Sequence, residues 1–189
     1  MLVVTGPSGA GKGTLIKELV ARVPAIEPTV SATTRERRPA EKDGREYWFL
    51  TNEDFSQRVA DGEFLEWVEY VSGHRYGTLR SELDRIAAKG RVPLLELETE
   101  GALRVAHKVP GAVTIFISAR VDELERRLRE RATESTGEIG ERIELARRQL
   151  EQADEFDHVI ENDELHHAVG ELTKLVAGLV SPAATMPGR

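Results

Sequence analysis

Short apolar runs alternate along most of the chain with segments of helical spacing. Apolar runs at residues 2–4, 92–97, 112–117 and 158–160 predict buried strands. Apolar residues three or four apart predict amphipathic helices at residues 15–23, 81–89, 121–131, 141–153 and 165–179. This alternation indicates an α/β fold in which a mostly parallel sheet is flanked by helices.

Residues 31–78 interrupt the alternation and hold most of the aromatic side chains. Within them, residues 47–50 and 64–70 predict strands, and Thr51 is placed to cap a short helix between the two. We therefore expect a small mixed α/β insertion with its own aromatic cluster. The charged stretch 132–140, between two arginine-rich helices, is a second insertion candidate and is predicted to act as a lid.

Composition narrows the class of protein. The 189 residues are 40% hydrophobic and 31% charged, which is typical of a globular domain. The net charge of −7 argues against a general nucleic-acid binder, and the absence of cysteine excludes disulfides. No apolar run approaches the roughly 20 residues that span a membrane, and the first strand follows Met1 too closely for a targeting peptide. We expect one cytoplasmic domain at residues 1–180 and a disordered tail at 181–189.

The clearest candidate for chemistry is the run Gly6, Pro7, Ser8, Gly9, Ala10, Gly11, Lys12, Gly13 and Thr14. It lies between a predicted strand and a predicted helix, the context of a phosphate-binding loop rather than of an ordinary glycine-rich turn. Glycines allow successive N–H groups to face one anion, and the helix start adds the positive end of its dipole. Lys12 supplies a charge for a transferring phosphoryl group. Gly13 stands where the strict pattern has Ser or Thr, so the hydroxyl that helps hold Mg²⁺ is assigned to Thr14.

Several arginines have two interpretations. The groups are Arg35, Arg37 and Arg38; Arg127 and Arg131, one helical turn apart; and Arg142. Taken singly, each is most simply a solvated side chain paired with a nearby glutamate. Beside a phosphate loop they become candidates for binding phosphate oxygens, because the guanidinium fork does so bidentately and stays charged.

The carboxylates also leave alternatives open. Glu66 lies in an aromatic strand pattern, where an outward-facing strand residue is favoured over an acceptor for the edge of a base. Glu96 and Glu98 end a predicted strand and are either acids that reach metal or substrate, or a solvated strand end. The five histidines, which include the adjacent His166 and His167, show no spacing typical of metal ligands.

Four further motifs occur in a fixed order: Val30-Ser31-Ala32-Thr33-Thr34-Arg35 followed by Arg38-Pro39; Gly44-Arg45-Glu46-Tyr47-Trp48-Phe49; Gly62-Glu63-Phe64-Leu65-Glu66-Trp67; and Tyr76-Gly77-Thr78. With the glycine-rich run, they resemble the guanylate kinases, a branch of the nucleoside monophosphate kinases, over nearly the whole chain. The resemblance implies three parts: a P-loop NTPase core at residues 1–30, 79–120 and 143–180, a GMP-binding insertion at 31–78, and a helical lid at 121–142.

The resemblance also implies a reaction, ATP + GMP giving ADP + GDP, with Mg²⁺ bridging the ATP phosphates. It assigns catalysis to Lys12, Arg35, Arg127, Arg131 and Arg142. It assigns ATP binding to the loop residues 6–14 and to Asn162, and places Glu98 at the substrate. The GMP phosphate falls to Arg35, Arg38, Tyr47 and Tyr76, and the guanine to Ser31, Glu66 and Thr78. The expected partners are GMP or dGMP and ATP, with no nucleic acid and no membrane, and the oligomeric state does not follow from the sequence.

Two departures from the family pattern and two rival functions remain. Glu98 stands where the family usually has Asp, and Glu100 where it often has Gln. One rival is a sugar-phosphate kinase of the same fold, against which the base-reading set Ser31, Glu66 and Thr78 argues. The other is a non-catalytic scaffold module that binds phosphopeptides, against which the intact phosphate loop argues.

Overall fold

The computed structural model describes residues 1–70, 73–131 and 136–181, with the side chains of 131 and 136–139 left out. In chain order its strands are β1 (Leu2–Thr5), β2 (Ile26–Pro28), β3 (Ala32–Thr33), β4 (Trp48–Phe49), β5 (Phe64–Glu69), β6 (Arg75–Leu79), β7 (Val92–Glu96), β8 (Val113–Ser118) and β9 (His158–Glu161). Its α-helices are α1 (Lys12–Arg22), α2 (Asn52–Ala60), α3 (Arg80–Ala87), α4 (Thr99–Lys108), α5 (Val121–Arg131), α6 (Thr136–Glu151) and α7 (Leu165–Val180).

A five-stranded sheet with the order β2-β7-β1-β8-β9 forms the centre, and all its neighbouring strands are parallel. Every residue of β1 is buried, as expected of a central parallel strand covered on both faces. Leu2 and Val4 face the cluster formed with α1 and α7, whereas Val3 faces the cluster formed with α4. The predicted α/β fold, a mostly parallel sheet flanked by helices, is confirmed.

A second sheet, with the order β4-β3-β6-β5, is formed by residues 32–79. It is mixed, because β3 pairs with β4 in parallel and with β6 antiparallel. Its small core includes Phe55 stacked on Phe64, with ring centroids 4.4 Å apart. The hydroxyl of Thr51 accepts a hydrogen bond from the backbone N–H of Asp54 at 3.0 Å, so the predicted cap of α2 is confirmed.

The structure contains elements that were not predicted, namely the strands β2, β3 and β6 and the helix α4. The first turn of α4 contains Gly101, and glycine is a weak helix former. Helix α6 begins at Thr136, so the stretch 132–140 is helical over its second half. Residues 132–135 and 182–189, where lid and tail predictions fall, lie outside the described residues.

Candidate functional site

The glycine-rich run forms a tight loop between β1 and α1. Gly6 has a φ of +140° and Gly11 a φ of +86°, backbone conformations that glycine adopts without strain. A Cβ on Gly6 would collide with the carbonyl oxygen of Ile117 on β8. Gly11 is the N-cap of α1, so the exposed N–H groups at the start of that helix open onto the loop. The loop therefore has the geometry of an anion cradle.

Lys12, the first residue of α1, reaches back over this loop. Its Nζ donates to the carbonyl oxygen of Gly6 at 2.7 Å and to that of Pro7 at 3.2 Å. Burial lowers the pKa of Lys12, while the carboxylates of Glu98 and Glu96 favour the charged form. The ammonium is thus held beside the position that the loop offers to a phosphate.

Two of the predicted arginines, one on α5 and one on α6, contact the loop. Arg142 donates to the hydroxyl of Ser8 at 3.1 Å. Arg127 donates to the carbonyl oxygen of Asn162 at 3.1 Å and is held by the carboxylate of Glu123 at 2.7 Å. The side chain of Arg131 lies outside the described residues.

Asn162, just past β9, lies beneath the loop and is only 4% exposed. Its Nδ2 donates to the carbonyl oxygen of Ala10 at 2.7 Å, and a Cβ on Gly11 would meet the same nitrogen at 2.5 Å. Within the described part of the chain, its buried Oδ1 has no hydrogen-bond partner. The Asn162 side chain therefore stabilises the backbone of the loop, and its contact with adenine stays a prediction.

A cavity of about 720 Å³ lies between the two sheets, a volume in the range of small-molecule sites. Among the residues that line it are the predicted site residues Lys12, Ser31, Tyr47, Glu66, Tyr76 and Glu98. The phosphate loop thus shares one cavity with side chains of the second sheet.

Glu66 is buried at the cavity wall, with 9% of its surface exposed. Thr78 donates its hydroxyl to Oε1 of Glu66 at 2.8 Å. Burial raises the pKa of this carboxyl, whereas hydrogen bonds from Thr78 and the charge of Arg104 lower it. The outward-facing orientation that the strand pattern favoured is wrong, because a register shift between Phe64 and Glu66 breaks the alternation of faces.

The residues predicted to bind the GMP phosphate are only partly assembled. The rings of Tyr47 and Tyr76 meet edge to face at 5.9 Å, and the Arg35 guanidinium lies 5.5 Å from the Tyr47 centroid. Arg35 also donates to Glu41 at 2.8 Å. Arg38 is exposed on the surface. A phosphate at Tyr47 and Tyr76 would therefore have to compete with Glu41 for Arg35.

The acids at the end of β7 face the cavity. Glu96 and Glu98 both line it, on the side of Lys12. Burial raises the pKa of Glu96, Lys12 opposes this, and Glu98 adds to it. These acids can therefore reach a substrate or a metal ion bound there.

Further residues that were not singled out from the sequence also line the cavity, among them Tyr70, Arg104 and Gln149. Burial, followed by the carboxylate of Glu98, raises the pKa of Tyr70. Arg104 comes from α4, a helix that was not predicted, and Gln149 from α6. Of these three residues, only Tyr70 could have been found from the sequence, because it lies at the end of a predicted aromatic strand.

The adjacent histidines lie on the surface at the start of α7. Ligand atoms of Glu164, His166 and His167 lie within 4.8 Å of one another there. All three side chains are exposed, and the positive end of the helix dipole disfavours a cation there.

Comparison with known proteins identifies the family. The guanylate kinase family model matches residues 1–178. The chain belongs to the guanylate kinase family. Guanylate kinases of Synechococcus sp. (strain JA-3-3Ab) and Prochlorococcus marinus (strain MIT 9313) are 44% and 45% identical to it over 177 residues, 93% of the chain and 81% and 93% of those proteins. The crystal structure of guanylate kinase from Anaplasma phagocytophilum superposes with a TM-score of 0.73 at 26% identity, covering 97% of this chain and 87% of that one.

Membership in the guanylate kinase family makes the chain a nucleoside monophosphate kinase, the one that phosphorylates GMP with ATP. The comparisons favour neither the sugar-phosphate kinase nor the phosphopeptide-binding scaffold. Among the helices that the structure describes, none has the length and apolar character needed to cross a membrane.

Proposed function

We propose that the chain transfers the γ-phosphoryl group of ATP to GMP inside the cavity between the two sheets. One observation carries this proposal: Lys12 of the phosphate loop and the buried carboxylate of Glu66 line the same cavity of about 720 Å³. A phosphate donor at the loop and a base at Glu66 would then lie within one cavity.

Glu66 is proposed to read the guanine. Guanine presents two adjacent donors, N1–H and the exocyclic amine, and one carboxylate can accept both in charge-assisted bonds. The hydrogen bond from Thr78 fixes Oε1, and Ser31 lines the same cavity. Adenine has an acceptor at N1 and lacks the 2-amino group, so it would leave a desolvated carboxylate without partners.

Phosphoryl transfer then needs alignment and neutralisation of charge rather than a covalent intermediate, since an oxygen of the GMP phosphate is itself the nucleophile. On the ATP side the proposed groups are the loop N–H groups, Lys12, Arg127, Arg131 and Arg142. On the GMP side they are Arg35, Arg38, Tyr47 and Tyr76. Arg35 exchanges Glu41 for the GMP phosphate, because a dianion is the stronger acceptor.

The donor atoms near the loop fit a magnesium ion. The hydroxyl of Thr14 is exposed in the first turn of α1, and the carboxylates of Glu96 and Glu98 line the cavity beside Lys12. Hydroxyl and carboxylate oxygens are the ligands that Mg²⁺ prefers. A bound Mg²⁺ would neutralise charge on the ATP phosphates.

Residues 31–78 and 121–142 are proposed to close over the two nucleotides as the GMP-binding insertion and the lid. Closure would exclude water and so limit hydrolysis of ATP. Tyr70, just past β5 of the second sheet, and Glu98, just past β7, both line the cavity over which such a closure would occur.

The test is ADP release from ATP and Mg²⁺ with a panel of nucleoside monophosphates and a sugar phosphate. GMP should be used at least about 10³-fold more efficiently than AMP, a conservative bound for a site built to pair polar groups. Equal use of several bases, or a preference for the sugar phosphate, would contradict the proposal.

A further inference from the structure

Asn162 supports the phosphate loop at one carbonyl group. It follows β9 directly, is 4% exposed and donates from Nδ2 to the carbonyl oxygen of Ala10 at 2.7 Å. That carbonyl and the N–H of Gly11 belong to one planar trans peptide, in which they point in opposite directions. The Asn162 amide therefore holds the Gly11 N–H on the face of the loop that points away from the Asn162 side chain.

The N–H of Gly11 is one of the donors that the loop can offer to an anion. Within the described residues no hydrogen bond uses it, whereas the N–H of Ala10 already donates to the carbonyl oxygen of Pro7 at 3.2 Å. Gly11 is also the N-cap of α1, where the positive end of the helix dipole lies. A phosphate bound at this N–H would therefore meet a donor whose direction is set by Asn162.

Asn162 is itself held from two sides. Its N–H donates to the carbonyl oxygen of Ser118, on β8, at 2.8 Å, and its carbonyl oxygen accepts from Nη2 of Arg127, on α5, at 3.1 Å. A Cβ on Gly11 would lie 2.5 Å from Nδ2 of Asn162, so the amide fills the space that a side chain at position 11 would need. The amide is therefore fixed against the loop.

The other polar atom of the Asn162 side chain does not favour contact with a base. Its Oδ1 is buried and, among the residues that the structure describes, has no hydrogen-bond partner. A contact with adenine would need either this buried oxygen or the Nδ2 that already donates to Ala10, so the side chain would have to move. The geometry thus favours a role at the phosphates over the role near adenine that the family resemblance implied.

We propose that Asn162 is a positioning residue that directs the Gly11 N–H toward a phosphate of ATP and does not read adenine. This rests on the proposed function, in which the loop binds the ATP phosphates. Because a phosphate oxygen is anionic, a correctly directed N–H gives it a charge-assisted hydrogen bond. The effect belongs to the triphosphate, so it is the same for nucleotides that carry different bases.

The experiment compares the wild type with Asn162→Leu, which keeps roughly the size of the side chain but cannot donate, and with the smaller Asn162→Ala. With GMP saturating, kcat/KM is measured for ATP and for ITP, in which an oxygen replaces the 6-amino group of adenine. We expect both values to fall by the same factor, about tenfold or more, mainly through KM of the triphosphate. The Kd of inorganic tripolyphosphate, which has no base, should rise by a similar factor in calorimetric titration.

Two controls separate this role from a general effect on the fold. Asn52→Leu makes the same change at an exposed position at the start of α2 and should leave ATP, ITP and tripolyphosphate unaffected. The calorimetric Kd of GMP, measured without ATP, should stay at its wild-type value in both Asn162 variants. A rise in the Kd of GMP that matches the rise for tripolyphosphate would indicate general loosening of the structure and would overturn the proposal.

Two other outcomes would also overturn it. A fall for ATP alone, with ITP and tripolyphosphate unchanged, would show that Asn162 reads adenine. Wild-type values for both triphosphates and for tripolyphosphate would show that the loop does not depend on this side chain. The tripolyphosphate titration needs no GMP, so it tests Asn162 separately from the monophosphate panel that tests the proposed function.

Discussion

Lys12 combines a fixed position with a charge that is partly buried. Two loop carbonyl oxygens hold its ammonium, at 2.7 and 3.2 Å. Burial lowers its pKa, and the carboxylates of Glu98 and Glu96 oppose this. A phosphoryl oxygen is a stronger acceptor than a carbonyl, so the ammonium can transfer to it during the reaction.

Replacing Lys12 by Met is therefore expected to lower kcat by roughly 10²-fold or more, the effect of removing one preorganised electrostatic donor. Met keeps much of the side-chain length and loses the charge. Steady-state ADP release measures the effect, and circular dichroism checks the fold. Lys17→Met, exposed on the same helix, serves as the matched control and should behave as wild type. Turnover of Lys12→Met near the wild-type rate would remove this residue from the mechanism.

Glu66→Gln tests which base the cavity accepts. The amide retains the size of the side chain but turns one acceptor into a donor, which would face the guanine donors. We expect kcat/KM for GMP to fall by the equivalent of roughly 2–4 kcal/mol, with little change for AMP. Glu69→Gln, an exposed position on the same strand, is the control. Equal losses for GMP and AMP would assign Glu66 to the fold instead of to recognition.

Helix α1 begins with two glycines that differ in backbone conformation and in the space around them. Gly11, its N-cap, has a φ of +86° and lies against Asn162. Gly13 lies within the helix, and a Cβ there would have no atom within 4 Å. The first glycine is required by the backbone, whereas the second only increases the entropy of the unfolded chain.

Gly13→Ala should accordingly raise the free energy of unfolding by about 0.4–1 kcal/mol, while Gly11→Ala should lower it. Urea denaturation of the two variants and the wild type gives the comparison. The same sign of change in both variants would contradict the distinction drawn from their backbone angles.

Elements with a strong local pattern were predictable and those without one were not. Four of the five strands of the parallel sheet contain the predicted apolar runs, β2 being the exception, and the cap at Thr51 is a local signal. Helix α4 has a glycine in its first turn and was not predicted, so Arg104 was missed with it. The strand pattern alone favoured an outward-facing Glu66, whereas the resemblance placed it at the guanine; a register shift, which depends on the partner strand, breaks the period of two. The phosphate loop could be predicted from its own glycines, whereas the cavity depends on how the two sheets pack against each other.

At the scale of the whole molecule, Glu82 joins the two sheets. This side chain on α3 is buried, and its carboxylate accepts from the backbone N–H of Val30 at 2.9 Å and from Trp48 Nε1 at 3.2 Å. Arg85 donates to both of its oxygens, at 2.8 and 2.9 Å. Trp48 belongs to the second sheet, and Val30 lies between the last strand residue of β2 and the first of β3. One buried carboxylate thus fixes the segment where the chain passes from one sheet to the other.

Arg85 also forms an ion pair with Glu27 of the edge strand β2, so the contacts of Glu82 are linked to that strand. Hydrogen bonds from Lys89 and Arg85 lower the pKa of Glu27 to about 2. The folded state therefore binds fewer protons at this carboxyl than the unfolded state, whose pKa is near 4.5. Its contribution to stability is complete above pH 4.5 and is lost as the pH falls toward 2.

The expected result is a free energy of unfolding that falls between pH 5 and pH 3 in the wild type and falls less steeply in Glu27→Gln. Urea denaturation at several pH values measures both slopes. Parallel slopes in the two proteins would show that Glu27 does not contribute to the acid sensitivity.

Glu82→Gln should weaken the hydrogen bonds that connect the two sheets. An amide has one acceptor oxygen for donors from Val30, Trp48 and Arg85, and its NH₂ group would face donors, so the variant should lose roughly 2–4 kcal/mol of stability. The cavity wall formed by the second sheet would then be less well oriented toward the loop, so we expect KM for GMP to rise while KM for ATP changes little. The control is Glu63→Gln, which removes an exposed pair with Arg58 and should alter neither stability nor KM appreciably. Equal increases in both KM values would indicate general loosening, and would separate Glu82 from the orientation of the GMP site.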